Sequence, residues 1–347
     1  MDRVAQKARA LPTSKDVAAL AGVAQSTVSY VMSGKRAVSP ETRRRVEDAM
    51  RELTYHPNAG ARALRGAKTN VIALMVQLGA QSELSETSPY IETVVEEARS
   101  RDYDVVLVTF DEGPKVLERL AKRRVADAFV LMDIQAEDSR LGTASALGLP
   151  VVLFGRPTDA HGLDAVDFDT RSAAELLVDH LADTGHRYVV AVGDPNDLHG
   201  REMRFIQDFY GGAHQRAAER GLDLEVVLRE REGWAGIEQI ADRVLARSGE
   251  RLGLIARTPR VTEWLVQLAR LRGLRLGRDI SLVSLCTDLN ATSFDPPITN
   301  VSPRPREFSR LAMRVLFDRI EGGGGGARLE LVKPRPVTRR ISTTSFD

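Results

Sequence analysis

The sequence has little of what stabilises or anchors proteins outside the cytosol. Cys286 is the one cysteine among 347 residues, which excludes an intrachain disulfide and is typical of a cytosolic protein. No apolar run approaches the roughly 18 residues that a membrane-spanning helix needs. Basic residues stand near the N-terminus without an apolar stretch behind them, so we expect no secretion signal and a cytoplasmic location.

The sequence also lacks the clusters that carry catalysis or hold metals. Its six histidines are scattered without metal-ligand spacing. No pair of carboxylates and no nucleophile–histidine–acid set has a recognisable spacing, and Cys286 has no obvious histidine partner. These absences predict a protein that is not an enzyme and that uses neither a metal nor a cofactor.

Charge is distributed unevenly along the chain. The net charge is +1, but residues 1–66 hold 12 Lys and Arg against 6 Asp and Glu, whereas the remaining residues hold 37 against 42. The first segment therefore carries +6 and the rest carries −5. A basic N-terminal segment on a mildly acidic body favours binding of nucleic-acid phosphates by that segment alone.

The stretch over residues 13–34 reads as two short helices joined by a tight turn. Small apolar residues share one face of the first helix: Val17, Ala18 and Ala21. Gly22 supplies the turn, where we expect a Cβ atom to crowd the partner helix. The second helix is expected to bury Val28 and Val31 and to expose short polar side chains, as readout of base edges in a DNA major groove requires. The alternative is a small surface hairpin of helices with no DNA contact.

A third helix is predicted to begin soon afterwards. Ser39 is placed to cap its N-terminus, Pro40 occupies the first helical position and Glu41 falls in the first turn. Apolar residues then follow at helical spacing: Val46, Met50 and Leu53.

Taken in order, these segments resemble the N-terminus of the lac repressor/gal repressor family of bacterial transcription regulators. The resemblance is carried by Asp16-Val-Ala, Ala21-Gly-Val, Thr27-Val-Ser, Val38-Ser-Pro-Glu-Thr-Arg, Tyr55-x-Pro-Asn and Ala61-Arg-Ala-Leu-Arg. It implies a helix-turn-helix DNA-binding domain over residues 1–57, followed by a hinge helix and linker over residues 58–68.

The resemblance assigns DNA contacts to the second helix and to a residue after it. The implied contacts are Gln25, Ser26, Thr27, Ser29, Tyr30 and Arg36. Glutamine can pair with adenine through two hydrogen bonds, which contributes roughly 1–3 kcal/mol of discrimination; a phosphate contact is the alternative for Gln25. Tyr30 departs from the Arg or His of many relatives, which argues against guanine readout there. Ala24 replaces the usual serine N-cap, a loss of about 0.5–2 kcal/mol for that helix.

The hinge segment has too few core residues to form a stable helix alone. In relatives it orders on DNA, pairs with the dimer mate in the minor groove and inserts a leucine between the central base pairs. The implied residues here are Asn58, Arg62, Leu64 and Arg65, with Leu64 as the apolar wedge that kinks the duplex. Packing of Leu64 against the remainder of the protein is the alternative.

From Asn70 onwards, short apolar segments alternate with helical ones. Strands are predicted at residues 71–76, 104–109, 128–132 and 150–155 and, after a restart at Asp167, at 188–193, 224–228, 252–256 and 280–285. This alternation predicts an α/β fold of two doubly wound parallel sheets, with a cleft outside the carboxyl ends of the strands.

The resemblance extends into this part of the chain. It is carried by Gly185-His-Arg-Tyr-Val-Val-Ala-Val-Gly, Asp279-Ile-Ser-Leu-Val, Pro296-Pro-Ile-Thr-Asn-Val and the ending from Pro334 to Ser342. It implies a periplasmic-binding-protein-like effector and dimerisation domain over residues 69–347. Lobe 1 is expected at about 69–165 and 303–322, and lobe 2 at about 166–302 and 327–347. Crossovers are expected near Asp167, Ser302 and the Gly322–Gly326 run, which we expect to be a flexible loop.

Residues that bind sugar hydroxyls in relatives are replaced here. An arginine is absent where the ungapped match reads Phe209-Tyr-Gly-Gly, Cys286 stands in place of an aspartate, and Arg257-Thr258 stands in place of Asn-Asp. A less polar ligand is therefore expected, bound by stacking and shape. The implied effector contacts are Tyr90, Phe209, Trp234 and Cys286, although packing is an equal alternative for Trp234.

The sequence thus predicts a homodimeric transcription regulator, most consistent with a repressor. It is expected to bind a palindromic double-stranded DNA operator and to respond to a small-molecule effector, a sugar or a derivative, in the cleft. Two alternatives stay open: control by a protein partner, and a soluble sugar-binding protein without gene control. No membrane association is expected.

Overall fold

The computed structural model describes residues 12–33, 36–55, 68–78, 84–109, 113–193, 203–231 and 233–346. The chain divides into two compact units, Met1–Thr69 and Asn70–Asp347. The predicted minor-groove residues Asn58, Arg62, Leu64 and Arg65 lie outside the described residues.

The described part of the first unit contains three helices: α1 Ser14–Ala21, α2 Gln25–Ser33 and α3 Pro40–Glu52. Helix α1 begins with a capping box, in which Thr13 and Asp16 hydrogen-bond each other reciprocally. Helix α3 begins as predicted, because the Ser39 side chain accepts a hydrogen bond from the backbone N–H of Thr42 and Pro40 follows it.

Val28 and Val31 of α2 are buried, as predicted. The buried core of the first unit consists of Val17, Ala18, Ala21, Val28, Val31, Val46, Ala49 and Tyr55, and the partly buried Met50 and Leu53 pack against it. Gly22 follows α1 with a φ of 63°, and no atom lies within 4 Å of the position that its Cβ would take. The predicted reason for this glycine is therefore wrong: its left-handed backbone requires it, and crowding does not.

The described part of the second unit contains two parallel sheets. Its strands are β1 Val71–Met75, β2 Asp104–Val108, β3 Ala128–Leu131, β4 Val151–Phe154, β5 Asp164–Phe168, β6 Tyr188–Gly193, β7 Asp223–Leu228, β8 Leu252–Ala256, β9 Ser281–Leu285, β10 Thr299–Val301 and β11 Leu329–Val332. The sheet of the first lobe has the order β11-β5-β4-β3-β1-β2, and that of the second lobe has the order β10-β9-β8-β6-β7. Every pairing between neighbouring strands is parallel, as predicted.

Helices cover both faces of each sheet. Those of the first lobe are α4 Leu84–Arg99, α5 Pro114–Lys122, α6 Arg140–Ala146 and α12 Pro305–Ile320; those of the second are α7 Thr170–Asp183, α8 Arg204–Arg220, α9 Gly233–Val244, α10 Pro259–Leu271 and α11 Asp288–Ser293. Among the described residues, none of these helices is long and apolar enough to cross a membrane.

Alternation along β1 shows how both faces become core. Ile72 and Leu74 join a buried cluster with residues of α4 and α12, whereas Ala73 and Met75 join a different cluster with residues of α5 and α6. Such a strand is apolar throughout because both of its faces are buried, which is why the apolar runs in the sequence marked the inner strands well.

The chain passes between the lobes three times: after β5, between β10 and α12, and after β11. Strand β5 extends the first lobe to Phe168, three residues beyond its expected boundary. Strand β11 pairs with β5, Leu329 lying opposite Ala165, so the third crossover follows the glycine run and does not coincide with it. The expected placement of residues 329–332 in the second lobe was wrong.

The glycine run is anchored by one arginine. Arg319 donates from its guanidinium to the carbonyl oxygens of Gly323, Gly325 and Gly326 over 3.2, 3.1 and 2.7 Å. The same guanidinium binds both carboxylate oxygens of Asp164 on β5, at 2.7 and 2.8 Å. This expected flexible loop is therefore tied to β5, the strand next to the β11 edge of the first sheet.

Candidate functional site

The outer face of α2 has the character that DNA readout needs. Gln25 and Ser26, in its first turn, are exposed, and Tyr30 one turn further on retains 36% of its accessible surface. Thr27 and Ser29 are only half-exposed. The first turn of a helix is where side chains reach furthest towards base edges in this type of domain.

Gln25 also connects the first two helices. Its Nε2 atom donates to Oγ of Ser14 over 2.9 Å, and its backbone carbonyl accepts a hydrogen bond from Oγ of Ser29 at 3.1 Å. The Ser14 contact orients the Gln25 side chain and engages one of its amide hydrogens. The amide oxygen and the second amide hydrogen can still hydrogen-bond to a base.

A cationic surface accompanies this face. The guanidinium of Arg36 lies 5.7 Å from the centroid of the Tyr30 ring, a cation–π arrangement that holds both side chains near each other. Elsewhere in the same unit, helix α3 carries three consecutive exposed arginines, Arg43, Arg44 and Arg45. Positive charge of this kind attracts nucleic-acid phosphates.

In the second unit, a cavity of about 220 Å³ lies between the two lobes. Residues that follow strands β3, β4, β8 and β9 line it, including Asp133, Arg156, Arg257 and Thr287. The predicted position of a ligand site, outside the carboxyl ends of parallel strands, thus holds a real cavity.

Aromatic rings form one wall of this cavity. Tyr90 meets Phe308 edge to face with ring centroids 5.4 Å apart, and Phe154 meets the same ring at 5.0 Å. Burial raises the pKa of the Tyr90 phenol, and the nearby carboxylates of Glu86 and Asp167 raise it further. Tyr90 therefore stays neutral and offers a hydroxyl and a ring face.

Charged side chains also line the cavity. Arg156 donates to Oδ2 of Asp208 over 2.9 Å, and its Nε atom lies 3.7 Å from Oδ2 of Asp167. Burial raises the pKa of Asp167 to about 6, and the hydrogen bond from the backbone N–H of Phe168 together with Arg156 offsets only part of that effect.

Of the four predicted effector contacts, Tyr90 lines the cavity, and the other three do not. Phe209 is fully buried on α8 and packs against Tyr210. Trp234 packs on the outer core of the second lobe and donates from Nε1 to Glu238 over 2.7 Å, which agrees with the packing alternative. Cys286 is fully buried, and burial raises the pKa of its thiol to about 12.

The sequence analysis did not predict that an arginine of α8 reaches the cavity. Arg204 lines the cavity from the first residue of this helix, five positions before Phe209. No arginine stands at Phe209-Tyr-Gly-Gly, as the sequence shows, but Arg204 brings one to the cavity from an earlier position of the same helix. Neighbouring Phe205 and the residues flanking Cys286, Leu285 and Thr287, also line the cavity.

Within the described ranges, no group of three or more His, Cys, Asp or Glu side chains is arranged to hold a metal ion.

Three family profiles match the chain. Residues 13–58 match "Bacterial regulatory proteins, lacI family", residues 86–223 match "Periplasmic binding proteins and sugar binding domain of LacI family", and residues 178–343 match "Periplasmic binding protein-like domain". The chain is a member of the lacI family. Membership makes this LacI-family protein a DNA-binding transcriptional regulator, as the sequence predicted.

Similar proteins of known type span almost the same length. The HTH-type transcriptional regulator CelR of Thermobifida fusca is 28% identical over 334 residues, covering 90% of this chain and 93% of the relative. The HTH-type transcriptional repressor PurR of Haemophilus influenzae is 27% identical over 322 residues, covering 89% and 91%. Both relatives are regulators of transcription.

Solved structures share the fold of this LacI-family chain. The lac repressor dimer bound to operator and the anti-inducer ONPF matches with a TM-score of 0.80 and 20% identity over 96% of this chain and 99% of the other. A complex of the transcriptional regulator CelR with cellobiose matches with a TM-score of 0.69 and 24% identity over 95% and 99%.

Proposed function

We propose that this regulator represses transcription as a homodimer on a palindromic operator, and that a small molecule in the cleft changes its affinity for DNA. The observation that carries the proposal is the exposed first turn of α2 on a basic unit, where the side chains of Gln25 and Ser26 are open to solvent. Each DNA-binding domain, or head (residues 1–57), reads one half-site. The two-fold symmetry of a dimer therefore matches an inverted repeat. A DNA target implies a cytoplasmic location for this regulator.

The remaining predicted contacts complete this reading. Arg36 and Tyr30 border the recognition helix, and the half-exposed Thr27 and Ser29 add short polar groups to it. The hinge residues Asn58, Arg62, Leu64 and Arg65 supply the minor-groove contact in this proposal, on the strength of the sequence resemblance.

The effector acts through the two lobes. A ligand that binds the closed arrangement of the cleft more tightly than the open one shifts the balance between them. In a dimer that shift changes the spacing of the two heads, and coupling between such sites is typically ~1–3 kcal/mol. CelR forms a complex with cellobiose, which supports a sugar or a sugar derivative as the ligand class.

The test begins with selection of bound sequences from random DNA by the full-length protein. Fluorescence anisotropy then compares the recovered inverted repeat with a single half-site at one salt concentration. We expect the full site to bind about 100-fold more tightly or better, because two linked heads engage it together. Equal affinity for the two DNAs would rule out the dimeric mode, and recovery of no sequence at all would favour a sugar-binding protein without gene control.

A pair of glutamine variants tests the reading head itself. Gln25→Ala is expected to relax the preference at one base pair of each half-site, a loss of roughly 1–3 kcal/mol in discrimination. Gln267→Ala makes the same change at an exposed position of α10 and is expected to leave the preference intact. A uniform weakening on all DNAs by Gln25→Ala would instead assign this residue to a phosphate.

A further inference from the structure

Three arginines converge on the cavity between the lobes. Arg156 follows β4 in the first lobe, Arg204 is the first residue of α8, and Arg257 follows β8 in the second lobe. They come from three separate elements of both lobes, so the fold itself gathers them. An arginine at such a place presents up to five N–H donors and no acceptor.

Contacts of these arginines keep the guanidiniums in place. Asp208 accepts from Arg156 at 2.9 Å and also lies 3.9 Å from Nε of Arg204, so one carboxylate serves two cations. The guanidinium of Arg257 lies 5.6 Å from the centroid of the ring of Phe205, the residue that follows Arg204 in α8. Helix α8 has no side-chain cap on its first turn, so its positive end adds to this cationic side.

Carboxylates line the cavity as well. Glu86, Asp133 and Asp167 belong to its wall, and Asp133 is oriented by the backbone N–H of Gln77 at 2.8 Å. A purely anionic ligand would be repelled by these groups, whereas hydroxyl groups donate to carboxylates well. The lining therefore suits a ligand that carries both hydroxyl groups, which donate to the carboxylates, and an anionic group, which binds the arginines.

Aromatic rings supply the third requirement. Tyr90, Phe154 and Phe308 form an edge-to-face cluster at the cavity wall, and Phe205 lies in the lining from the other lobe. Such faces pack against the C–H side of a small ring or carbon chain.

We propose that the effector is an acidic sugar derivative, a polyhydroxylated carbon skeleton bearing a carboxylate or a phosphate, with its anion held by Arg156, Arg204 and Arg257. Its hydroxyl groups donate to Glu86, Asp133 and Asp167, and its apolar face packs on the rings. This assignment rests on the proposed function, since it specifies the ligand of the same cleft. A neutral sugar offers these arginines only uncharged acceptors, which form weaker hydrogen bonds than a carboxylate or a phosphate does.

The test uses full-length protein and matched sets of sugars. D-glucose, D-galactose and D-mannose are each compared with the corresponding uronate, aldonate and 6-phosphate by thermal unfolding and by release or tightening of the selected DNA. We expect at least one acidic member to raise Tm by roughly 5 °C at about 100-fold its Kd, while its neutral parent has no effect at the same concentration. Whether the active member is a carboxylate or a phosphate identifies the anion.

Variants then assign the effect to the arginines. Arg257→Gln is expected to weaken the active acid by about 10- to 100-fold, and Arg257→Lys by less, because lysine keeps the charge. Arg278→Gln, the same change at an exposed position of the second lobe, is expected to bind as the parent does. Failure of Arg257→Gln to fold leaves the lysine variant to carry the comparison.

Three results would overturn this proposal: a neutral parent that is as effective as its acid, a complete panel of acids without effect, or full affinity in both Arg257 variants. DNA binding without ligand is measured on the same samples. A protein that binds its selected DNA but responds only to neutral sugars refutes the ligand class alone, whereas a protein that binds no DNA refutes the proposed function.

Discussion

The guanidinium of Arg156 in the first lobe donates to the carboxylate of Asp208 in the second lobe over 2.9 Å. Both side chains are largely shielded, with 29% and 21% of their surface exposed, so water weakens this pair less than it weakens an ordinary surface pair. The contact joins two bodies whose relative position is expected to change when a ligand binds.

This pair is expected to contribute measurably to stability. A double-mutant cycle with Arg156→Gln and Asp208→Asn, followed by urea unfolding, should give a coupling free energy of roughly 0.5–3 kcal/mol. Arg272 and Asp242 lie 2.8 Å apart within the second lobe but are far more exposed, and their cycle should give about 0–1 kcal/mol. Equal coupling free energies in the two cycles would show that the ion pair between the lobes stabilises the protein no more than an exposed surface pair does.

Asp167 should make the protein less stable as the pH rises. Its pKa is about 6 in the folded protein and 3.8 when unperturbed, so the folded state binds the proton more tightly. The stabilising contribution of the protonated form is complete below pH 4 and is lost as pH rises through 6. Asp167→Asn should therefore gain up to about 3 kcal/mol over the parent at pH 7.5 and little at pH 4. A gain that is the same at both pH values would mean that the cause is packing.

The thiol of Cys286 should be inert in the folded protein. It is fully buried, and its pKa of about 12 leaves almost no thiolate at pH 8. A chromogenic disulfide reagent should titrate no thiol in the native protein and one per chain in guanidinium chloride. Rapid reaction of the native protein would require an opening of the second lobe next to Leu285 and Thr287, on the cavity wall.

Removal of Arg319 should destabilise the edge of the first sheet. Its partner Asp164 is only 4% exposed, so Arg319→Ala leaves a buried carboxylate without its ion pair, at a cost of about 3–5 kcal/mol. Arg328 pairs with Asp318 at a more exposed position, and Arg328→Ala should cost less than about 1 kcal/mol. Cleavage within residues 322–326 by a protease should become faster in the Arg319 variant only.

Leu64 should bend the operator. The family resemblance places it in the hinge segment between Arg62 and Arg65, where an apolar side chain unstacks a base step. Leu64→Ala should weaken specific binding and reduce the bend seen in a circular-permutation gel, while the second unit melts unchanged. An unaltered bend angle would assign this leucine to packing.

Sequence patterns located the regular elements where one physical rule dominated. The third helix of the head begins where Ser39 and Pro40 predicted, because a cap and a fixed φ act locally. The inner strands were found from their unbroken apolar runs. Strand β5 was missed because Asp164 and Asp167 interrupt its apolar pattern, and the arginine that pairs with Asp164, Arg319, stands 155 residues further along the chain.

The candidate site was harder to predict because tertiary packing decides which side chains reach it. Trp234 and Cys286 occupy positions that the family resemblance marks as ligand contacts. However, Trp234 packs against the hydrophobic core of the second lobe, and Cys286 is fully buried. Arg156 and Arg204 showed no local pattern. They become a pair of cavity residues only when Asp208 on α8 is brought beside the end of β4.

The pairing of β11 with β5 has a consequence for how the protein is made. Leu329 to Val332 leave the ribosome after almost the whole second lobe, whereas their partner strand emerges some 160 residues earlier. Until β11 has been synthesised, one side of β5 therefore lacks its partner strand in the nascent chain. Asp164 on β5 also lacks its ion-pair partner Arg319 for most of that time. During that interval an unpaired edge can pair with another growing chain on the same messenger, so folding yield should depend on how quickly translation proceeds from β5 to β11.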